Sequence, residues 1–251
     1  MPRALVTGPT AGLGRAYALE LARRGYDLVL VSRDQARLDA LAAELRRDHR
    51  VEVDVQAADL ATSEGIDLAA GLVRSNARPV DLLVNNAGAS LAGWFGTTDV
   101  ADEDRQLDLL VRAPMHLSDA AIKAMTGRGR GQILNVCSVA AWTPRGAYSA
   151  HKAWLLNLTR WMSWQYADAG LQVTAVCPGF VRTEFHQRMG ADVSTVPRWM
   201  WLKAPKVVRA SLDDLDKGKP VSVPSLRYKV LGALARHAPA PLVARAARRG
   251  R

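Results

Sequence analysis

A tyrosine and a lysine four residues apart point most directly to chemistry in this 251-residue sequence. Tyr148 and Lys152 would share one face of a helix. A tyrosine with its ordinary pKa of about 10 is a poor acid or base at neutral pH. A neighbouring ammonium group favours the phenolate and lowers that pKa, so the pair predicts acid–base chemistry. The alternative, a surface helix pair without a function, is common for these two residue types taken alone.

A glycine-rich turn near the start of the chain predicts a dinucleotide site. The turn reads TGPTAGLG over residues 7–14 and lies between an apolar strand, 4–7, and a helix at about 12–24. Its glycines allow the backbone to turn tightly and approach a pyrophosphate, and the helix N-terminus faces that negative charge. The strand–turn–helix context makes a glycine turn without a ligand the weaker interpretation.

These groups would be positioned by alternating strands and helices. Further strands are predicted at about 26–32, 51–56, 81–85, 132–138, 171–177 and 221–223, with helix-length segments between them. The near-continuous apolar strands predict an α/β fold: a single doubly wound Rossmann-type domain with an about seven-stranded parallel sheet and helices on both faces. We expect this domain to span residues 1–224, with a substrate lid at about 183–205 and a basic C-terminal tail at 225–251.

Five motifs in this order resemble the short-chain dehydrogenase/reductase (SDR) family over at least residues 3–183. They are the TGPTAGLG turn, Asp59-Leu60, the NNAG sequence at 85–88, the YSAHK sequence at 148–152 with Ser138 upstream, and Pro178-Gly179 with Thr183 beyond. The resemblance implies a catalytic set of Ser138, Tyr148 and Lys152. Ser138 would orient a substrate carbonyl, Tyr148 would give a proton to the developing alkoxide, and Lys152 would also hold the nicotinamide ribose.

The same resemblance implies the residues that surround a nicotinamide cofactor. Asp59-Leu60 resembles the adenine contact, and the Pro-Gly loop resembles the segment that meets the nicotinamide amide. The expected set is Gly8, Thr10, Gly12, Leu13, Gly14, Ser32, Arg33, Asp59, Leu60, Asn86, Ala87, Gly88, Tyr148, Lys152, Pro178, Gly179, Val181 and Thr183.

One position departs from the family pattern. The family usually has an asparagine on the helix after NNAG, where it anchors a water that relays protons to the lysine, and Leu110 occupies that position here. Pro114, four residues later, has no N–H, so the Leu110 carbonyl loses its helical partner. We hypothesise that this carbonyl holds the relay water, which makes Leu110 a fourth member of the catalytic set. A slow or inactive enzyme is the alternative.

The end of the second strand favours NADP(H) over NAD. An acidic residue there would bond the ribose 2′-hydroxyl of NAD, whereas an arginine accommodates the 2′-phosphate. Ser32 occupies the position of the acid and Arg33 follows it. The guanidinium fork of arginine suits a phosphate. Ala11 is a counter-indication, because many NADP-dependent relatives carry a second basic residue in the glycine loop. Asp34 is interpreted as the cap of the next helix.

The substrate is predicted to be an apolar carbonyl compound, such as a fatty-acyl ketone or a steroid-like molecule. Met189, Trp199 and Trp201 lie in the lid segment, and Trp94 and Trp142 are candidates to line the same cleft. Alternatively, these aromatic residues pack against the core or a neighbouring subunit. The sequence on the Tyr148 helix also contains Trp154, Trp161 and Trp164, which are interpreted as core and subunit packing in a homodimer or homotetramer.

The positive charge is concentrated at the C-terminal end. Residues 217–251 contain nine Lys or Arg and no acidic residue, so this segment carries nearly all of the net charge of +10. Apolar residues interleave with the bases, which favours attachment to an anionic membrane surface; a solvated tail is the alternative. No recognition motif accompanies the bases, so nucleic-acid binding is not expected.

Composition excludes several other classes. The chain is 49% hydrophobic and 23% charged, as in ordinary globular proteins, and no apolar run is long enough to span a membrane. The start of the sequence lacks a secretory pattern, the two cysteines are interpreted as reduced core thiols, and the five histidines show no metal-ligand spacing. These features predict a cytoplasmic protein, peripheral on the inner face of the membrane if the tail binds lipid. The rival function is a non-catalytic nucleotide-sensing or scaffold protein that acts through its basic tail.

Overall fold

A seven-stranded parallel sheet forms the centre of the molecule. The computed structural model describes residues 1–185 and 196–237. The strands follow the spatial order β3-β2-β1-β4-β5-β6-β7, and every neighbouring pair is parallel. Their bounds are β1 Arg3–Thr7, β2 Asp27–Ser32, β3 Val53–Ala57, β4 Leu82–Asn85, β5 Gly131–Val136, β6 Leu171–Val176 and β7 Val221–Ser222.

Helices cover both faces of the sheet. They are α1 Gly12–Arg23, α2 Gln35–His49, α3 Ser63–Arg74, α4 Val100–Leu107, α5 Ala113–Thr126, α6 Ala147–Gln165, α7 Ala204–Asp216 and α8 Leu226–His237. A π-helical turn, Asp108–Arg112, joins α4 to α5, and short 3₁₀ helices lie at Val139–Trp142 and Arg198–Met200. The predicted doubly wound Rossmann-type fold is confirmed.

The alternation of side chains along the strands divides the core into two layers. In β1, Ala4 and Val6 face one layer, which contains buried residues of α1, α2 and α7. Leu5 faces the other, which contains buried residues of α3, α5 and α6. Successive side chains of a strand point to opposite faces, so strands this apolar must be covered on both sides.

The predicted strands agree with the structure to within one or two residues at most ends. β5 is the clearest difference, because it ends at Val136. Ser138 instead caps the 3₁₀ helix, and its hydroxyl accepts a hydrogen bond from the Ala140 N–H at 3.1 Å. Asp34 caps α2 as predicted, accepting from the Arg37 N–H at 3.0 Å. Within residues 1–185 and 196–237, no helix is both long and apolar enough to cross a membrane.

The structure describes only part of the predicted lid and only part of the predicted C-terminal tail. Residues 186–195 of the predicted lid, including Met189, and residues 238–251 of the tail lie outside the described residues. The first half of the tail is α8, and it packs on the body of the domain through Tyr228, which is 3% exposed.

A buried hydroxyl pair fixes α7 against α1. The Tyr17 hydroxyl lies 2.6 Å from Ser211 Oγ. Ser211 donates its own hydrogen to the Val208 carbonyl at 2.8 Å, so Tyr17 is the donor in the pair. Both residues are fully buried, and the bond joins positions almost two hundred residues apart in the sequence.

We predict that Tyr17→Phe lowers the free energy of unfolding by about 1 kcal/mol, because it removes one buried hydrogen bond and keeps the ring. Tyr26→Phe is the matched control: Tyr26 is partly exposed, and its change should stay within about 0.5 kcal/mol. Urea unfolding of both variants measures the difference. Equal losses in the two variants would contradict the assignment.

Candidate active site

Two of the predicted motifs are joined into one platform by the Thr7 side chain. Its hydroxyl oxygen accepts hydrogen bonds from the Asn86 and Ala87 N–H groups, each at 2.9 Å. In return, the Asn86 side-chain amide donates to the carbonyls of Thr7 and Gly8, at 2.9 and 3.1 Å. The glycine turn after β1 and the NNAG segment after β4 therefore hold each other in place.

The glycine turn has the close approaches that a pyrophosphate cradle requires. A side chain at Gly14 would place its Cβ 2.0 Å from the Gly8 carbonyl oxygen, so only glycine fits there. Gly12 has a φ of +55° and faces Thr183, whose Cβ would lie 3.2 Å from a Cβ at Gly12. Helix α1 begins at this turn with no acidic residue in its first turn. The backbone and the helix N-terminus thus fit a dinucleotide phosphate.

The predicted adenosine end of the site lies at the carboxyl ends of β2 and β3. Ser32 Oγ accepts from the Asp34 N–H at 3.3 Å. Arg33 is exposed, and no ion pair joins it to any residue in the described part of the chain. The Asp59 carboxylate accepts from the Ala61 N–H at 3.0 Å and pairs with Arg105 at 3.2 Å. Arg33 is therefore the guanidinium group free to meet a phosphate at this edge.

The three predicted catalytic side chains converge where β5 ends and α6 begins. The Ser138 hydroxyl lies close enough to Tyr148 to lower the pKa of the phenol. Lys152 Nζ lies 5.8 Å from the centroid of the Tyr148 ring and donates to the Val136 carbonyl at 2.7 Å. Phe185, which sequence reasoning did not select, stacks at an angle on Tyr148 with ring centroids 6.2 Å apart.

Burial corrects the expected protonation of this pair. Lys152 was expected to lower the pKa of Tyr148, but burial of the hydroxyl raises that pKa, and the hydrogen bond from Ser138 opposes the rise only in part. Burial also lowers the pKa of Lys152. The reason is that both groups lose water, and desolvation penalises whichever form is charged. Burial therefore favours the neutral form of Tyr148, although its ring remains partly exposed.

Leu110 lies beside the lysine, inside the π-helical turn. Its side chain is 1% exposed, and its Cδ2 atom would be 3.1 Å from a Cβ at Gly88. The Ala113 N–H bonds back to the Asp108 carbonyl, five residues earlier, and Pro114 offers no N–H to the Leu110 carbonyl. A cavity of about 10 Å³ is lined by Leu110 and Lys152, among others. The water-holding role of the Leu110 carbonyl stays a prediction.

Tyr228, which belongs to none of the predicted motifs, supports the Pro178-Gly179 loop. The ring of Tyr228 in α8 packs directly on Gly179, where an added Cβ would lie 1.9 Å from Tyr228 Cζ. The Tyr228 hydroxyl accepts from the Phe180 N–H at 3.0 Å and donates to the Met200 carbonyl at 2.8 Å. Tyr228 lies some fifty positions beyond this loop in the chain, so no local spacing could have identified it.

The same loop meets the catalytic end of β5 and the predicted lid. The Pro178 carbonyl accepts from the Val139 N–H at 3.1 Å, next to Ser138. Val181 forms a parallel bridge with Leu202. The structure therefore brings the predicted nicotinamide loop next to both the predicted catalytic serine and the described C-terminal part of the predicted lid.

Among the described residues, only some of the tryptophans predicted to line the substrate cleft pack against other parts of the protein. Trp142 packs on Gly232 of α8, and the rings of Trp201 and Phe180 lie 5.6 Å apart at their centroids. Trp94 and Trp199 are each more than half exposed. Trp142, on the 3₁₀ helix that follows Ser138, is thus packed against α8.

The tryptophans of α6 do not enter the core. Trp154, Trp161 and Trp164 are 36%, 50% and 64% exposed, so the expectation of core packing is wrong for them. They occupy the outer face of α6, because the inner face is filled by residues such as Leu155 and Met162. Packing against another subunit stays a prediction. Cys137 and Cys177 are buried free thiols, and the described residues contain no group of three side chains able to hold a metal.

Comparison with known proteins agrees with this geometry. A family profile described as short chain dehydrogenase matches residues 2–194. A short-chain dehydrogenase from Sphingobium yanoikuyae, solved in complex with NADPH, is 34% identical, with a TM-score of 0.86 and 93% of each chain covered. Gluconate 5-dehydrogenase of Gluconobacter oxydans is 30% identical over 206 residues, which cover 81% of this chain and 80% of that protein.

A vertebrate relative adds a second reference point. The very-long-chain 3-oxoacyl-CoA reductase of Anas platyrhynchos is 34% identical over 190 residues, which cover 72% of this chain and 60% of that longer protein. With the family profile, the parallel sheet and the joined glycine and NNAG motifs in agreement, the chain belongs to the short-chain dehydrogenase/reductase family of oxidoreductases.

Proposed function

We propose that this protein is an NADP(H)-dependent reductase of an apolar ketone. The observation that carries the proposal is the convergence of Ser138, Tyr148 and Lys152 beside the glycine turn. A bound nicotinamide would supply or accept a hydride at this position. Residues of the glycine turn and the NNAG segment would hold its phosphates and ribose, as their close approaches allow.

The side chains divide the remaining chemistry between them. The Ser138 hydroxyl lies next to Tyr148 and would orient the carbonyl oxygen between the two hydroxyls. Tyr148 would then give its proton to the alkoxide that forms on that oxygen. Because burial favours the neutral form of Tyr148, its hydroxyl would hold a proton to donate in the reductive reaction.

The preference for NADP(H) is proposed from Arg33. Its guanidinium group is exposed at the end of β2 and has no ion pair in the described part of the chain, so it is available for the 2′-phosphate. Asp34 does not compete for a ribose hydroxyl, because its carboxylate caps α2. The complex of the Sphingobium yanoikuyae relative with NADPH agrees with this choice.

The apolar substrate is proposed from the walls of the cleft. Phe185 contacts Tyr148, and Trp142 lies on the 3₁₀ helix that Ser138 begins. The two curated relatives are named for substrates of different polarity, gluconate and a very-long-chain acyl-CoA, so the family does not fix this property. A fatty-acyl or steroid-like ketone is consistent with the aromatic wall.

The partner proposals rest on surfaces outside the catalytic cleft. The exposed tryptophans of α6 support a homodimer or homotetramer. The bases of residues 238–251 lie outside the described residues, and their attachment to an anionic membrane stays a prediction. The rival function, a non-catalytic nucleotide-sensing or scaffold protein, is motivated by Leu110 and by this basic segment.

Tyr148→Phe separates the two functions. We expect ketone reduction to fall by at least about 100-fold, because the proton donor is lost, while NADPH still binds, weakened by no more than about tenfold, the contribution of one hydrogen bond. Tyr166→Phe, at the C-terminal end of α6, is the control and should keep full activity. Steady-state NADPH oxidation measures both. Undiminished turnover in Tyr148→Phe would support the non-catalytic alternative.

The raised pKa of Tyr148 predicts different pH profiles for the two directions. Alcohol oxidation needs the phenolate, so its single-turnover rate should rise about tenfold per pH unit from about pH 6 to 8. Ketone reduction needs the neutral phenol and should stay flat over this range. Stopped-flow absorbance of the nicotinamide follows both reactions. An oxidation rate already at its plateau at about pH 6 would contradict the predicted protonation state.

A further inference from the structure

Helix α8 meets the predicted nicotinamide loop through one buried side chain, that of Tyr228. Tyr228 is 3% exposed, and its ring packs on Gly179. The family profile matches residues 2–194, so α8, at Leu226–His237, lies beyond the matched part of the chain. The contact therefore brings a segment outside the family motifs against a residue within them.

The Tyr228 ring explains why residue 179 has to be glycine. A Cβ at Gly179 would lie 1.9 Å from Tyr228 Cζ and 2.1 and 2.3 Å from its two Cε atoms. Gly179 does not have a positive φ, so its backbone conformation is open to other residues. The close approach of the ring, and not the backbone, imposes glycine at this position.

The Tyr228 hydroxyl joins two segments of the chain that lie on either side of the predicted lid. It lies 3.0 Å from the Phe180 backbone nitrogen and 2.8 Å from the Met200 carbonyl oxygen. An amide N–H can only donate and a carbonyl can only accept, so the one hydroxyl hydrogen goes to Met200. Tyr228 thus uses both its donor and its acceptor to hold Phe180 and Met200 together.

The same two segments also bond to each other. The Leu202 N–H donates to the Phe180 carbonyl at 2.8 Å, and the Arg182 N–H donates to the Leu202 carbonyl at 3.0 Å. The guanidinium carbon of Arg182 lies 5.8 Å from the centroid of the Trp201 ring. Tyr228 extends this pairing to α8, so the loop, the segment around residue 201 and the C-terminal helix form one unit.

This unit continues into the predicted cofactor site. The Pro178 carbonyl accepts from the Val139 N–H at 3.1 Å, at the catalytic end of β5. Further along, Thr183 lies against the glycine turn, where its Cβ would be 3.2 Å from a Cβ at Gly12. The backbone that Tyr228 holds therefore runs from the predicted catalytic serine toward the pyrophosphate cradle.

We propose that Tyr228 is a positioning residue for the nicotinamide half of a bound NADP(H). It acts through the backbone of residues 178–180 and touches neither the cofactor nor the substrate. Its ring fixes the position of Gly179, and its hydroxyl fixes Phe180 relative to Met200. The nicotinamide role rests on the proposed function, whereas the hold of Tyr228 on the loop does not.

Amide hydrogen exchange tests the hold on the loop without any nucleotide. Tyr228→Phe removes both hydrogen bonds and keeps the ring, so exchange of the Phe180 amide, followed by NMR, should become about tenfold faster. Tyr17→Phe is the matched control, because it also removes a buried tyrosine hydroxyl. Its Phe180 exchange should stay within about twofold of the wild type. Unchanged exchange in Tyr228→Phe would overturn the proposal.

Binding of a whole cofactor and of its adenosine end tests the nicotinamide role. We expect Tyr228→Phe to weaken NADPH about 5- to 10-fold and to leave adenosine 2′,5′-bisphosphate, which lacks the nicotinamide, within about twofold. Tyr17→Phe should leave both affinities within about twofold, because it affects stability and not the loop.

The two nucleotides separate positioning from a general loss of structure. Equal weakening of both in Tyr228→Phe, or an unchanged NADPH affinity, would overturn the positioning role. If the wild type binds neither nucleotide, the proposed function fails and the nicotinamide role fails with it. The exchange rates of Phe180 then decide alone whether Tyr228 holds the loop.

A double-variant cycle tests the origin of the glycine requirement. We expect Gly179→Ala to lower the midpoint of thermal unfolding by roughly 3–8 °C, because the added methyl group meets the Tyr228 ring. In a Tyr228→Ala background the same change should cause no further loss. Additive losses in Gly179→Ala/Tyr228→Ala would show that something other than the ring excludes a side chain at residue 179.

Discussion

The hydrogen bonds between Thr7 and the NNAG segment are the constraint on which the site depends. They join the carboxyl ends of β1 and β4, the two strands at which the order of the parallel sheet reverses direction. Loops leaving adjacent strands at such a point separate toward opposite faces and leave a crevice where ligands bind. In this protein the separation is held rigid, because Asn86 also bonds back to the glycine turn.

Burial is the second constraint, and it sets the chemistry as well as the stability. Lys152 is 5% exposed and donates one hydrogen bond to the Val136 carbonyl of β5, so its charge has little water around it. The same surroundings raise the pKa of Tyr148. A site built in this way favours the neutral form of the tyrosine.

Much of the fold could be predicted from the sequence because strands buried on both faces have to be apolar throughout. Local spacing in the chain is enough to place Tyr148 and Lys152 on one helix face and to place the glycines in one turn. Tyr228 could not be found in this way, because its contact with Gly179 depends on how α8 returns across the domain.

The protonation state of Tyr148 could not be predicted from the sequence either. Proximity of a lysine to a tyrosine predicts a lowered tyrosine pKa, but the sign depends on how much water both groups lose, and only the packed structure fixes this.

A side-by-side fluorescence titration with NADPH and NADH tests the central claim, that this chain is an NADP(H)-dependent oxidoreductase. The account predicts tighter binding of NADPH in the wild type. In Arg33→Ala, NADPH should lose about 10- to 100-fold in affinity, as expected for a charge-assisted hydrogen bond, while NADH is unchanged. Equal or tighter binding of NADH by the wild type would contradict the role of Arg33, and binding of neither nucleotide would contradict the reductase function.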